Sequence, residues 1–117
     1  MAKTKGACVT VAKGGVGESG ASAFLHHKVT SHHSKMMVLR CTDKSLCPNT
    51  GAVAMLIANG IPVAFGDITA VGSSIQHEAP AGTNVCAVIH TIPLFNDVLC
   101  IRLGELNVHL DECELVG

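Results

Sequence analysis

Three glycines at positions 14, 15 and 17 stand between an apolar run and a segment of helical period, and that junction constrains the chain more than any other feature. The run at 7–12, Ala-Cys-Val-Thr-Val-Ala, is rich in β-branched residues and reads as a buried strand. Lys13-Gly14-Gly15-Val16-Gly17-Glu18-Ser19-Gly20 follows as a glycine-rich loop. Beyond it, Ala21, Leu25 and Val29 recur at i, i+4 and i+8, which predicts a helix over 21–33. Strand, glycine loop and helix in that order suit an anion, because glycines let backbone N–H groups turn inward and the helix end adds its dipole. Gly14, Gly15, Val16, Gly17, Glu18, Ser19 and Gly20 are therefore the candidate phosphate-binding residues, with the Ser19 hydroxyl placed to reach Mg²⁺. Glu18 occupies the position where such loops carry a lysine, and its carboxylate has the wrong sign to neutralise a γ-phosphate.

The rest of the chain alternates apolar runs with breakers. Residues 36–39, 61–65, 85–92 and 98–103 read as strands, and 42–50 and 78–84 as loops. Asp67 is placed to cap a helix over 68–77, and 52–58 fits either a helix or a strand. The tail, 105–117, is weakly amphipathic. Strands alternating with helices predict a single α/β domain over 1–117, with a mainly parallel sheet and flanking helices.

Composition narrows the partners. At 117 residues the chain is one domain. Its hydrophobic share is 48%, yet it has no Trp, no Tyr and three Phe, so each buried residue contributes little area and self-association is the expected support. A net charge of −1 with scattered Lys and Arg argues against a nucleic-acid surface. No run approaches the ~18 apolar residues of a membrane span. The first six residues are basic and lack the apolar core of a secretion signal, which makes the cytoplasm the expected location. There the six cysteines, at 8, 41, 47, 86, 100 and 113, are expected as thiols. The seven histidines show no i, i+4 pair for a helical zinc site.

The loop from Lys13 to Ser19 resembles the deviant Walker A loop of partition-type ATPases and, more closely, of nitrogenase iron proteins, in a degenerate or truncated form. The resemblance runs without gaps from Cys8 to Cys41 and implies a P-loop fold binding ATP or ADP with Mg²⁺. It makes Lys13 the signature lysine that reaches a partner subunit's nucleotide, and it places Thr42-Asp43-Lys44 where the family has Asp-Pro-Lys, so Lys13 and Asp43 are the implied catalytic residues. The segments around Cys86 and Cys100 look like those bearing the two cluster cysteines, which implies a [4Fe–4S] cluster shared between two chains. Asp97 falls near the Walker B aspartate. With Glu18 in place of the lysine, the implied activity is at best that of a weak ATPase or an iron–sulfur reductase component.

A second set of motifs is similar to bacterial microcompartment shell proteins. Gly66-Asp67-Ile68-Thr69-Ala70-Val71 and Val88-Ile89-His90-Thr91-Ile92-Pro93 match two of their motifs, residues 18–25 stand for their first helix, and Cys47-Pro48 for a pore loop. That resemblance implies an α+β fold and a non-enzymatic shell or scaffold subunit forming hexamers.

Overall fold

A computed structural model describes residues 4–17, 22–45, 50–93 and 105–116, and every regular element among them is a strand. In chain order these are β1 (Thr4–Val16), β2 (Ser22–Lys28), β3 (Lys35–Ser45), β4 (Thr50–Ala58), β5 (Ile61–Ile68), β6 (Ser74–Ala79), β7 (Asn84–Pro93) and β8 (Glu105–Val116). They form two four-stranded sheets of order β1-β8-β3-β6 and β2-β7-β4-β5, antiparallel in every described pairing. Successive strands repeatedly cross from one sheet to the other, which is the winding of a jelly roll. The α/β expectation is overturned, and with it the α+β alternative: among the described residues there is no helix and no parallel pairing.

The error at β2 has a plain cause. Positions i, i+4 and i+8 share a face in a helix, and they also share a face in a strand, whose side chains alternate with a period of two. Ala21, Leu25 and Val29 therefore fit both. The burial of β2 follows the strand period, with Leu25 inward and Phe24 and His26 outward. The segment 68–77, expected as a helix, instead ends β5, turns at Gly72 (φ 92°) and begins β6. The runs at 36–39, 61–65 and 85–92 are strands as expected, while 98–103 lies outside the described residues.

The glycines that suggested a loop lie inside β1. Lys13, Gly14, Gly15 and Val16 pair with His109, Val108, Asn107 and Leu106 of β8. Successive N–H groups of a strand point to opposite sides, so these amides cannot converge on one phosphate. Gly14 has a packing reason: a Cβ there would lie 3.0 Å from the Leu25 Cδ2. The left-handed glycines are elsewhere, at Gly60, Gly72 and Gly82. Gly60 follows Asn59, and this Asn-Gly pair, with φ of 50° and 82°, turns β4 into β5.

The core fills the space between the sheets. Met37 and Leu39 of β3, Leu56 of β4, Ile68 of β5, Ile89 of β7, and Leu106 and Leu110 of β8 are fully buried there. The apolar material is medium-sized, Leu and Met together with β-branched Ile and Val, and it fills the space between pleated surfaces about 10 Å apart. Cys8 on β1 and Cys113 on β8 face each other in register and form a disulfide, so these two cysteines are not the thiols expected from sequence. No helix among the described residues is long and apolar enough to cross a membrane.

Candidate functional site

The outer faces of the two sheets are the surfaces available for binding, and strand register lays out their side chains in rows. On the first sheet, Thr10, Asp111, Val38 and Gln76 form one row across β1, β8, β3 and β6, and Lys13, His109, Arg40 and Ser74 form another. The polar groups bond to one another. Thr10 Oγ1 donates to Asp111 Oδ1 at 2.7 Å, the Arg40 guanidinium pairs with Asp111 Oδ2, and Arg40 Nη2 lies 3.4 Å from His109 Nδ1. Asp111 is 4% exposed, and these partners satisfy both of its carboxylate oxygens. Beside this network a hollow of about 430 Å³ opens among Lys13, Gly14, Thr42, Asp43, Asn107 and His109.

The outer face of the second sheet is apolar. Phe24 of β2, Val88 of β7, Met55 of β4 and Phe65 of β5 stand in register and make one row across all four strands. Phe24 is 60% and Phe65 73% exposed. The three strand spacings between them correspond to roughly 14 Å. Val53, also exposed, lies in the next row between His90 and Asp67, and His90 Nδ1 is 2.7 Å from Ser22 Oγ. On the other side, His26, Cys86 and Ile57 form a third row. The face thus has an apolar centre and a polar rim of Ser22, His90, Asp67, His26 and Lys28.

Two thiols are free among the described cysteines, Cys41 in the core and Cys86 on this face. Burial raises the pKa of both above the ordinary thiol value. Neither is poised as a thiolate nucleophile.

The residues singled out from sequence are distributed over this frame. Lys13 and Asp43, on β1 and β3, do reach one hollow, and Gly14 borders it. Asp43 there accepts a hydrogen bond from Asn107 Nδ2 at 3.3 Å. Gly15 and Val16 are strand residues, with Val16 in the core, and Gly17 follows the strand end. Glu18, Ser19, Gly20, Cys47, Pro48, Asp97 and Cys100 lie outside the described residues. Nucleotide binding with Mg²⁺, and with it the resemblance to nitrogenase iron proteins, is overturned by the all-strand fold and by the β1 ladder, which takes up Lys13 to Val16. The cluster reading also fails. Cys86 shares its row with His26 and Ile57, Cys8 and Cys113 are oxidised, and Cys41 is buried. Among the described residues no group of three or more His, Cys, Asp or Glu could hold a metal ion. The two shell-protein motifs fall in β5 with the turn after it, and in β7, inside an all-strand sandwich, which removes the hexameric shell reading.

The row from Phe24 to Phe65 was missed in the sequence. Asn59-Gly60 between apolar runs signals the β4–β5 hairpin, and alternation in β2 and β7 separates outward Phe24 and Val88 from inward Leu25 and Ile89. Which strands neighbour one another is not written in either signal.

No family model and no curated protein matches this sequence. Among solved structures, it is similar to the CBM36-1 domain of a multidomain xylanase from the hindgut metagenome of Trinervitermes trinervoides, at 9% identity and a TM-score of 0.45, covering 100% of this chain and 92% of that one. It is also similar to a family 35 carbohydrate binding module from an environmental isolate, at 14% identity and a TM-score of 0.43, covering 87% and 69%. A third is the carbohydrate-binding module CBM36 in complex with calcium and xylotriose, at 10% identity and a TM-score of 0.41, covering 99% and 100%. At these identities and scores the likeness identifies no ligand for this chain.

Proposed function

We propose that this chain is a non-enzymatic β-sandwich module that associates with a second copy of itself through the outer face of its second sheet. The observation that carries the reading is the in-register row Phe24, Val88, Met55 and Phe65, which puts two exposed aromatic rings on one sheet face. A contiguous apolar row with bare aromatic rings and a polar rim is the pattern of a contact surface. Three further observations favour a copy of this chain as the occupant. The rim carries Lys28 at one corner and Asp67 at the diagonally opposite corner, so the face holds both signs of charge. A net charge of −1 leaves little self-repulsion. Edge pairing is also discouraged at β5, where Pro62 lacks an N–H and the register shifts between Leu56 and Ile57.

Two such faces bury less than about 1,200 Å² in total, the regime of weak association. Sedimentation equilibrium is the test. The 12.1 kDa chain is expected to move from monomer to dimer as concentration rises through the micromolar range, and Phe24→Ser combined with Phe65→Ser to remain monomeric. A wild-type monomer at every concentration overturns the proposal, as does a double variant with an unchanged mass profile. If the monomer instead binds xylan through these two rings, the face belongs to a polysaccharide.

The Cys8–Cys113 disulfide bears on location. A reducing cytoplasm keeps such a pair as thiols, so this bond favours an oxidising compartment over the cytoplasm expected from the N-terminal residues.

A further inference from the structure

At one end of the second sheet's outer face, next to the β4–β5 turn, lies a hollow of about 520 Å³. Its apolar wall comes from Ile57 and Cys86, whereas Val85, 2% exposed, borders it from the core side. Its polar groups come from Lys28 and His26 on β2 and Asn84 on β7. Gly60, at φ 82° in the turn, adds no side chain to fill it. His27 also borders the hollow, and it is paired with the Glu112 carboxylate of β8. No Asp or Glu is among the lining residues, and the one carboxylate adjoining them already has its partner. The charge of this end is therefore set by Lys28.

From these features we infer a binding site for a small amphiphilic monocarboxylate, with its carboxylate at Lys28 and Asn84 and its hydrocarbon chain along Ile57 and Cys86. The division of labour follows from the lining. The Lys28 ammonium and the Asn84 Nδ2 supply the donors, and a carboxylate is the compact acceptor that takes both. The apolar wall rewards several methylenes, which an acetate-sized anion lacks. The volume falls within the range of small-molecule sites and accommodates a chain of about six carbons. Asn59 holds the mouth in place: its Oδ1 accepts from the Asn84 backbone N–H at 2.9 Å, and its own N–H donates to the Asn84 carbonyl at 2.8 Å. Neither bond uses the Asn84 side-chain amide.

The site is tested with three probes, hexanoate, hexan-1-ol and acetate, added to the full chain and followed by amide chemical shifts and calorimetry. Hexanoate is expected to shift the amides of residues 26–28, 57–60 and 84–86 saturably. Hexan-1-ol and acetate are each expected to bind at least ~10-fold more weakly, since each lacks one half of the recognition. Lys28 is exposed, so Lys28→Gln is expected to keep the fold and to weaken hexanoate ~10-fold while leaving hexan-1-ol unchanged. No saturable shift with hexanoate, equal binding of hexan-1-ol, or a Lys28→Gln variant with undiminished hexanoate affinity overturns the inference. The Phe24→Ser and Phe65→Ser double variant, which leaves the face uncovered, is expected to bind hexanoate at least as tightly as the wild type, which separates failure of this site from failure of self-association.

Discussion

The outer faces of the two sheets sit on the same jelly-roll frame and are treated in opposite ways. On the first, the central rows carry a bonded network: Arg40 meets Asp111, Thr10 donates to Asp111, and the Cys8–Cys113 bond lies one row away. On the second, the central row is Phe24, Val88, Met55 and Phe65, with both rings exposed to water. A face that satisfies itself contributes to the stability of its own chain. A face that leaves aromatic area bare loses free energy in the monomer and recovers it when covered. The difference separates a stabilising surface from a binding surface, and mutations should respect the boundary.

The largest effect is expected from the disulfide on the first sheet. It closes a loop of 105 residues, and replacing both Cys8 and Cys113 with Ser should lower unfolding free energy by about 5 kcal/mol on the chain-entropy relation. Urea denaturation of variant and wild type measures it, and a loss below ~1 kcal/mol would mean the β1–β8 ladder suffices alone.

Next comes Arg40→Ala, which strips Asp111 of its cationic partner. A fully buried pair costs roughly 3–5 kcal/mol to break, and since the Arg40 side chain is 40% exposed the expected loss is about 2 kcal/mol. Arg40→Ala combined with Asp111→Asn should recover part of it in a double-mutant cycle.

Replacing Phe24 and Phe65 with Ser sharpens the comparison from the other side. Exposed positions away from the core contribute within ~0.5 kcal/mol to monomer stability, so the melting temperature at low concentration should hardly change. A large drop would place these rings in the fold and not on a contact surface.

The smallest effect concerns the two free thiols. Burial raises the pKa of Cys41 and Cys86, so each holds its proton more tightly folded than unfolded. Their contribution to stability is constant below the ordinary thiol range, where both states are protonated. It declines as pH climbs above that range, where the unfolded chain loses its protons first. Denaturation profiles at neutral and alkaline pH should show this decline in the wild type and a smaller one in Cys41→Ala. Alkylation of Cys41 at neutral pH should be slow, for want of exposure as well as of thiolate.

Parts of this organisation are legible in the residues and parts are not. The strands at 36–39 and 85–92 follow from short apolar runs, the second rich in β-branched residues, and Pro62 sits near the start of a strand that proves to be an edge. The glycine run shows the opposite. Glycine is compatible with a phosphate loop, and it is also what a strand uses where Leu25 approaches the backbone at Gly14. Local composition cannot separate the two, because the neighbour that decides is a different strand.

Local chemistry in the sequence sets what each segment must do with water: the length and apolar content of the runs, the turn at Asn59-Gly60, and the alternation along β2 and β7. Tertiary structure alone decides which runs lie side by side. The pairing of β2 with β7, of β7 with β4 and of β4 with β5 turns four scattered residues into one apolar row. Pairing partners far apart in sequence are selected by the packing of the whole core, and no short window of residues contains that information.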